Sequence, residues 1–194
     1  MIIDSQSTGD PATFLPLDVL AAKLAALPAA PLTDGRVVSL IARVDGGRRT
    51  LLERASMTPA AGMPGDAWGR GRSRNPESQL TVMQRDVAEL IANGQPLELF
   101  GDNLILDLDL STENLPVGSQ LRAGGVTLEV TPMPHNGCRK FRARFGLEAL
   151  ELVSDKQLRH RNLRGVYMRV VEGGELAAGD AVTVISRGMA TLPL

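Results

Sequence analysis

Apolar residues near the start of the chain fall at the spacing of an α-helix. The positions that carry this pattern are Leu17, Leu20, Leu24 and Leu27. Pro16 stands just before them, where proline is tolerated in the first turn of a helix, and Pro28 predicts the helix end. Residues 1–15 are polar and show no period. We therefore expect residues 1–35 to form a loose lead-in followed by one helical arm.

From Arg36 onward the pattern changes to short β-rich runs separated by turn signals. Residues 36–44 predict a strand, Asp45-Gly46-Gly47 predicts a turn, and residues 50–54 predict the returning strand of a hairpin. Further strands are predicted at residues 79–83, 104–110, 120–123, 126–131, 166–171 and 180–186. Many short strands at close turn spacing favour a β-barrel or a β-sandwich.

Two more helices are predicted among these strands. One covers residues 84–92 and stops at Asn93-Gly94, and the other begins near Cys138 and is capped by Gly146. Residues 56–78 are rich in Gly, Pro, Arg and Ser and show no period, which is typical of a functional or a disordered loop. Aromatic residues make up only 3% of the chain, so the core must rest on aliphatic side chains and methionine.

The charge of the chain is small overall but unevenly spread. The net charge is −1, which argues against a general nucleic-acid binder. Residues 139–164, however, hold eight Lys and Arg against three Asp and Glu, a local net charge of +5. A basic patch on a neutral protein favours a small anionic ligand, and a solvated cationic surface remains the alternative.

The start of the chain predicts its location. It lacks the basic region and apolar core of a signal peptide, and no apolar run approaches membrane-spanning length. With one cysteine and no export signal, we expect a cytoplasmic protein without a membrane partner.

The only cysteine, Cys138, lies in the most unusual stretch of the sequence. A sole thiol excludes an internal disulfide and a multi-cysteine zinc site, which leaves packing or reactivity as a thiolate. Four cationic residues follow within six positions, and His135 lies three positions before it. Positive charge and a helix N-terminus both lower a thiol pKa, so the context favours a reactive thiolate.

The cationic residues after Cys138 cannot all face one site. If the segment is helical, Lys140 and Arg144 share one face, while Arg139 and Arg142 share another. Two of the four are therefore expected to bind an anion and two to be solvated. An arginine would suit a phosphate through its bidentate fork.

Other polar residues allow two interpretations each. Arg70 and Arg72 lie in the Gly-rich loop, which either closes over a ligand or is a disordered basic loop. Asn103 precedes a strand and either binds a ligand edge or caps a turn. Asp107 and Asp109 alternate with leucines and so share one face of a strand. They could form an acid–base pair, but a solvent-facing strand surface is the stronger explanation.

Several of these segments, taken in order, resemble one known family, the MOSC domain. They are His135-Asn136-Gly137-Cys138-Arg139-Lys140-Phe141, Arg144-Phe145-Gly146, residues 164–170, 174–176 and 179–182, and earlier residues 62–68 and 101–104. The resemblance covers about residues 36–187. It implies a closed β-barrel with a few peripheral helices over that range, followed by a C-terminal tail of residues 188–194.

The resemblance also implies a function. The family's cysteine carries sulfur as a persulfide, which requires no cofactor, or ligates molybdenum in a bound pterin cofactor, and either role falls on Cys138. The remaining residues assigned to this site are His135, with a catalytic role, and Arg139, Lys140, Arg144, Asn103, Arg70, Arg72 and Asn136, as cofactor-binding residues. The family is also associated with pyridoxal phosphate binding.

Small standalone bacterial members are thought to reduce N-hydroxylated compounds with molybdenum cofactor and a redox partner. The partner expected here is an electron donor or a cysteine desulfurase. Two alternatives stay open. One is a non-catalytic module that binds an anionic pterin or nucleotide, and the other is a thiol reductase or peroxidase that needs an external thiol because no second cysteine exists.

Overall fold

The computed structural model describes residues 8–72 and 74–188. Within these ranges the strands are β1 (Asp34–Arg43), β2 (Arg49–Leu52), β3 (Arg54–Met57), β4 (Leu80–Gln84), β5 (Leu104–Asp107), β6 (Gln120–Ala123), β7 (Val126–Val130), β8 (Val166–Glu172), β9 (Gly174–Ala177) and β10 (Ala181–Ser186). The α-helices are α1 (Leu17–Ala25), α2 (Ala67–Arg70), α3 (Arg85–Ala92), α4 (Arg139–Phe145) and α5 (Leu147–Ser154).

Seven of the strands form a closed barrel. The ring runs β1-β10-β6-β7-β8-β4-β5 and returns to β1, because β1 pairs with both β10 and β5. Only β4 and β5 pair in parallel; the other neighbours in the ring are antiparallel. Closure removes the free edges that an open sheet would expose. The predicted mainly β fold with a closed barrel is thus confirmed.

Two short ribbons extend the barrel. The β2 strand returns antiparallel to β1, with Leu40 opposite Leu52, which confirms the predicted hairpin. Strands β3 and β9 form a separate antiparallel pair.

Strand β5 is buried on both faces, and each face packs against a different cluster of apolar residues. Leu104 and Leu106 of β5 join the barrel core, while Ile105 between them joins a cluster under the helices. Such alternation follows from the period of two along a strand. Leu108 and Leu110 also belong to the barrel core, as their spacing predicts, although β5 itself ends at Asp107.

The helices pack on one side of the barrel. Helix α1 contacts α3 and α5 through buried Leu20 and Leu24. The predicted ends of α3 and α4 agree with the structure, whereas α1 ends at Ala25, before Leu27 of its predicted pattern. Helix α3 stops at Asn93, which has a left-handed φ of 44°. Gly146, with φ 92°, separates α4 from α5. None of the helices in the two described ranges is both long and apolar enough to cross a membrane.

Two segments without a sequence period contain ordered structure: part of the predicted loose lead-in and the loop predicted to be functional or disordered. Residues 8–15 are fastened to the helices, since Gly9 N donates to Ala143 O at 3.0 Å and Asp10 N donates to Gln95 Oε1 at 2.8 Å. The loop at 56–78 contains part of β3 and all of α2. Residues 1–7 of the predicted lead-in and 189–194 of the predicted tail lie outside the described residues, and the domain boundaries stay predictions.

Candidate functional site

Cys138 lines a cleft of about 200 Å³, here called the Cys138 cleft. Its charged lining consists of Arg43, Arg49, Asp102, Lys140, Arg144 and Arg164. These side chains come from β1, β2, the turn before β5, α4 and the turn before β8, so the fold gathers them from across the chain. Five positive charges against one negative charge make the lining of the cleft strongly cationic.

Helix α4 presents one of its faces to the cleft. Cys138 is exposed and stands at the N-cap of this helix, where its carbonyl oxygen accepts from Arg142 N at 3.0 Å. Lys140 and Arg144 line the cleft, as their spacing of four predicts. Arg139 and Arg142 are exposed and do not line it. Arg139 is therefore not brought to the cleft, because a residue one position after Cys138 points to another side of the helix.

A buried ion pair forms one wall of the cleft. Arg164 Nη1 donates to Asp102 Oδ2 at 2.8 Å, and the two side chains are only 10% and 1% exposed. The Arg164 Cζ lies 5.2 Å from the centre of the Phe141 ring, so the guanidinium also makes a cation–π contact. These contacts fix the guanidinium in place. Neither Asp102 nor Arg164 was assigned to the site from sequence.

His135 lies in the same wall. Its Nε2 is 3.7 Å from Asp102 Oδ1, and its ring centre is 4.6 Å from that of Tyr167. The pKa of His135 is lowered to about 4, chiefly by burial and then by the positive charges of Arg164 and Arg43, while Asp102 opposes the shift. The imidazole is therefore neutral at pH 7. Among residues 8–72 and 74–188 no hydrogen bond joins His135 to Cys138, and neither His135 Nδ1 nor Asp102 Oδ1 has a hydrogen-bond partner.

Arg43 is a further cleft residue that no local sequence pattern indicates. Its Nε and Nη2 donate to the two carboxylate oxygens of Asp66 at 3.0 and 2.7 Å. Asp66 also accepts from the Arg43 and Trp68 backbone N–H groups. Burial alone would raise the pKa of Asp66, but the hydrogen bonds and charge of Arg43 outweigh it and lower that pKa. Arg43 Nη1 has no hydrogen-bond partner among the described residues, and 28% of the side chain is exposed.

Asn103 supports this arrangement from behind. It is fully buried, its Oδ1 accepts from Arg43 Nη2 at 3.2 Å, and its Nδ2 donates to Asp66 Oδ1 at 3.0 Å. Asn103 also binds Thr81 and the carbonyl oxygen of Ile41. Asn103 does not line the cleft, and both its Oδ1 and its Nδ2 already hydrogen-bond to protein groups.

Three more of the predicted site residues lie away from the cleft. Arg70 forms an ion pair with Asp45 at 3.1 Å and donates to Arg43 O at 2.9 Å, which fastens its loop to the β1–β2 hairpin. Arg72 is exposed and does not line the cleft. Asn136 faces a neighbouring cavity instead.

Asp107 and Asp109, the two aspartates that alternate with leucines, both have partners in the structure. Asp107 pairs with Arg85 at 3.5 Å, and Asp109 Oδ1 accepts from Ser111 N at 2.7 Å. Both carboxylates thus make local structural contacts rather than facing the Cys138 cleft.

The neighbouring cavity, here called the outer cavity, has a volume of about 410 Å³. Its polar lining includes His135, Asn136, Ser154, Arg159, Asn162 and Arg164. His135 and Arg164 line both spaces, so these two side chains form the wall between them.

The part of the chain that the structure describes has no group of three or more His, Cys, Asp or Glu side chains placed to hold a metal ion. Any metal here would need ligands from a bound organic group together with the single thiolate.

Comparisons with known proteins agree with this architecture. The family model described as "MOSC domain" matches residues 71–183. The YuaD protein from Bacillus subtilis is similar at 17% identity and a TM-score of 0.55, over 80% of this chain and 97% of that one. YiiM from Escherichia coli is similar at 20% identity and a TM-score of 0.53, over 79% and 71%.

A crystal structure of a hypothetical protein is similar at 19% identity and a TM-score of 0.58, over 79% of this chain and 68% of that one. At these identities the likeness concerns the fold. A search of curated protein sequences found no match.

Proposed function

Because this chain belongs to the MOSC domain family, we propose that its Cys138 cleft binds a phosphate-bearing pterin of the molybdenum cofactor type, with the Cys138 thiolate facing it. The observation that carries the proposal is that the one thiol of the chain is exposed and opens into a cleft lined by five cations. A soft thiolate is a suitable ligand for a metal of this kind, and guanidinium and ammonium groups are suited to phosphate.

The residues present fit the anionic part of such a group. Lys140 lines the cleft without an ion-pair partner among the described residues, and Arg43 Nη1 is likewise unpaired there. Asp102 Oδ1 is buried without a hydrogen-bond partner in the described part of the chain and could accept from an amino or ring N–H group. The cleft, at about 200 Å³, is smaller than the ~300–1,000 Å³ common for enclosed ligands, so the larger part of a pterin would extend beyond it.

Each residue has a separate task in this proposal. Lys140 and Arg164 bind the anionic group, and Asp66 with Asn103 holds Arg43 in a fixed orientation before the ligand arrives. Neutral His135 adds no charge to the wall and offers a hydrogen-bonding edge. When bound, the cofactor supplies a redox-active molybdenum centre, which is the chemistry needed to reduce N-hydroxylated compounds with electrons from a partner protein.

A second candidate, sulfur carriage, is favoured by the exposure of Cys138. The thiolate would attack the outer sulfur of a donor persulfide, form a new S–S bond and release the donor as a thiolate. A neighbouring Lys140 would stabilise the anionic persulfide. This route needs no cofactor, and a cysteine desulfurase is the class of donor that would supply the sulfur. Both candidates fit a cytoplasmic protein.

Native mass spectrometry and metal analysis of protein from a cofactor-producing host test both candidates. A pterin mass with molybdenum, lost in Cys138→Ser, supports the first, and an added sulfur on Cys138 supports the second. If wild-type protein carries neither and Cys138→Ser leaves its biological activity unchanged, both are wrong.

A matched pair of variants tests the role of the cleft. Lys140→Gln should weaken phosphate binding about tenfold through the loss of one charge-assisted contact, whereas Arg142→Gln, on the other side of α4, should not. If Cys138→Ser leaves ligand binding intact while Lys140→Gln abolishes it, the chain is a non-catalytic anion-binding module instead.

A further inference from the structure

The space next to the Cys138 cleft has a different chemical character from the cleft itself. We propose that the outer cavity is a second binding compartment, for a small uncharged polar molecule, which lies against the anion-binding cleft across the His135–Arg164 wall. Its role as a co-reactant site rests on the proposed function, whereas the binding itself does not.

The size of the outer cavity suits a ligand. At about 410 Å³ it has twice the volume of the Cys138 cleft and falls within the ~300–1,000 Å³ range of small-molecule pockets. It lies between the loop before α4 and the segment after α5. Pro134, Val153 and Leu163 provide apolar surface, and the remaining lining is polar.

The lining of the outer cavity has little excess charge: two arginines and one aspartate give it a net charge of +1. Arg164 is already paired with Asp102 at 2.8 Å, and the exposed Arg159 has the exposed Asp155 in the same lining. The other polar groups, Asn136, Ser154 and Asn162, are uncharged. An anion would thus be drawn to the cleft rather than to this cavity, because the cleft has the larger excess of positive charge, +4 against +1.

The outer cavity also offers hydrogen-bonding capacity that the protein leaves unused. Asn162 Nδ2 donates to Leu110 O at 2.8 Å, which orients the amide, while its Oδ1 accepts no hydrogen bond among the described residues. The side chain of Asn136 makes no hydrogen bond there either.

The His135–Arg164 wall contains two further hydrogen-bonding groups without a partner among the residues that the structure describes. His135 Nδ1 and Arg164 Nε are buried without partners, in side chains that are 7% and 10% exposed. A ligand with adjacent donor and acceptor atoms, such as a carboxamide or an amino-substituted heterocycle, matches this set. A molecule bound here is separated from one in the cleft by two side chains only.

Nicotinamide and inorganic phosphate are suitable probes, one uncharged and one anionic. The NMR signals of the His135 ring report binding in either compartment, and His160, which lines neither, serves as an internal reference. Both probes should shift His135 in the wild-type protein, and neither should compete with the other.

Two variants assign the probes to their compartments. Ser154→Phe places a ring in the outer cavity and should weaken nicotinamide binding about tenfold or more without changing phosphate binding. Lys140→Gln should weaken phosphate binding without changing nicotinamide binding. Glu151→Phe, on the exposed side of the same helix α5, is the control for an added surface ring, and Asn136→Ala is a second outer-cavity variant that should weaken nicotinamide binding.

The inference is overturned if nicotinamide fails to shift His135, if Lys140→Gln weakens both probes equally, or if the probes compete. It is also overturned if Ser154→Phe and Asn136→Ala both leave nicotinamide binding unchanged. Failure of phosphate to bind the wild type contradicts the proposed function alone, so the two failures are distinguishable.

Discussion

Arg43 and Asp66 meet through two parallel hydrogen bonds, from Nε to Oδ1 and from Nη2 to Oδ2. The carboxylate is 1% exposed, so it is almost fully removed from water. Such a fork fixes the plane of the guanidinium as well as its position. One edge of Arg43 is therefore held by the protein, while Nη1 on the other edge has no hydrogen-bond partner among the described residues.

Asp66→Asn should destabilise the protein by about 2–3 kcal/mol, because it leaves a half-buried guanidinium without its charged partner. It should also weaken phosphate binding, since Arg43 loses its fixed orientation. Urea unfolding and a phosphate titration measure these effects. Asp45→Asn is the control: its ion pair with Arg70 is exposed and should contribute less than about 0.5 kcal/mol. Equal effects of the two variants would contradict the prediction.

The stability of the protein should fall as the pH is lowered from about 6.5 to about 4. His135 has a folded-state pKa of about 4, whereas the unfolded chain binds this proton near 6.5. The contribution of neutral His135 is therefore fully present above pH 6.5 and lost as the pH falls to 4. The linked change amounts to about 3 kcal/mol.

Urea unfolding at several pH values checks this expectation. His135→Gln should flatten the slope between pH 4 and 6.5, and His160→Gln should leave it unchanged. Asp66, whose pKa is lowered, adds its own loss of stability only at more acidic pH. An unchanged slope in His135→Gln would show that another group is responsible.

Gly137→Ala should disturb the loop that carries Cys138. A Cβ at this position would overlap the Leu150 side chain and lie 3.2 Å from Val153 Cγ2 on α5. Forcing a methyl group into this contact should cost about 1–3 kcal/mol and change the rate at which Cys138 reacts with a thiol reagent.

Gly69→Ala is the matched control, because its Cβ would lie at an ordinary 3.4 Å from Ala61 O. Thermal unfolding and alkylation rates distinguish the two variants. A wild-type alkylation rate in Gly137→Ala would show that the loop tolerates the methyl group.

The thiol of Cys138 should react in the folded protein, and faster with an anionic reagent than with a neutral one. It is exposed, and the nearby Lys140 attracts anions. A dianionic aromatic disulfide and a neutral disulfide can be compared by stopped-flow absorbance.

Added salt should slow the reaction of the anionic reagent only, because salt screens its attraction to the cationic side chains. Lys140→Gln should reduce its advantage severalfold and Arg142→Gln should reduce it less; the opposite order would exclude the assigned orientation of α4.

Local patterns in the sequence predict much of the fold. The turn at Asp45-Gly46-Gly47 predicts the β1–β2 hairpin, and the alternation at 104–110 predicts four leucines in one core. The spacing of Lys140 and Arg144 correctly predicts that they share a face of α4. In each case the contacts are close in sequence, so the pattern contains the information.

The remaining parts of the site depend on contacts between distant segments. Arg43 reaches the cleft because Asp66 and Asn103, 23 and 60 positions away, hold it there. Asp102 and Arg164 pair across 62 positions. A local pattern in the sequence cannot predict pairs of residues that lie so far apart along the chain. Asn103 itself illustrates the limit, since its place before a strand indicates a polar role but not that its amide is buried behind the cleft.

The pairing that closes the barrel has a consequence for biosynthesis. Asp34 of β1 lies opposite Thr183 of β10, 149 positions later. On the ribosome, the edges of β1 and β6 that face β10 stay unpaired until residues 181–186 have emerged from the exit tunnel. For that interval the nascent chain presents two open strand edges to neighbouring chains, so chaperone contact is most valuable late in translation.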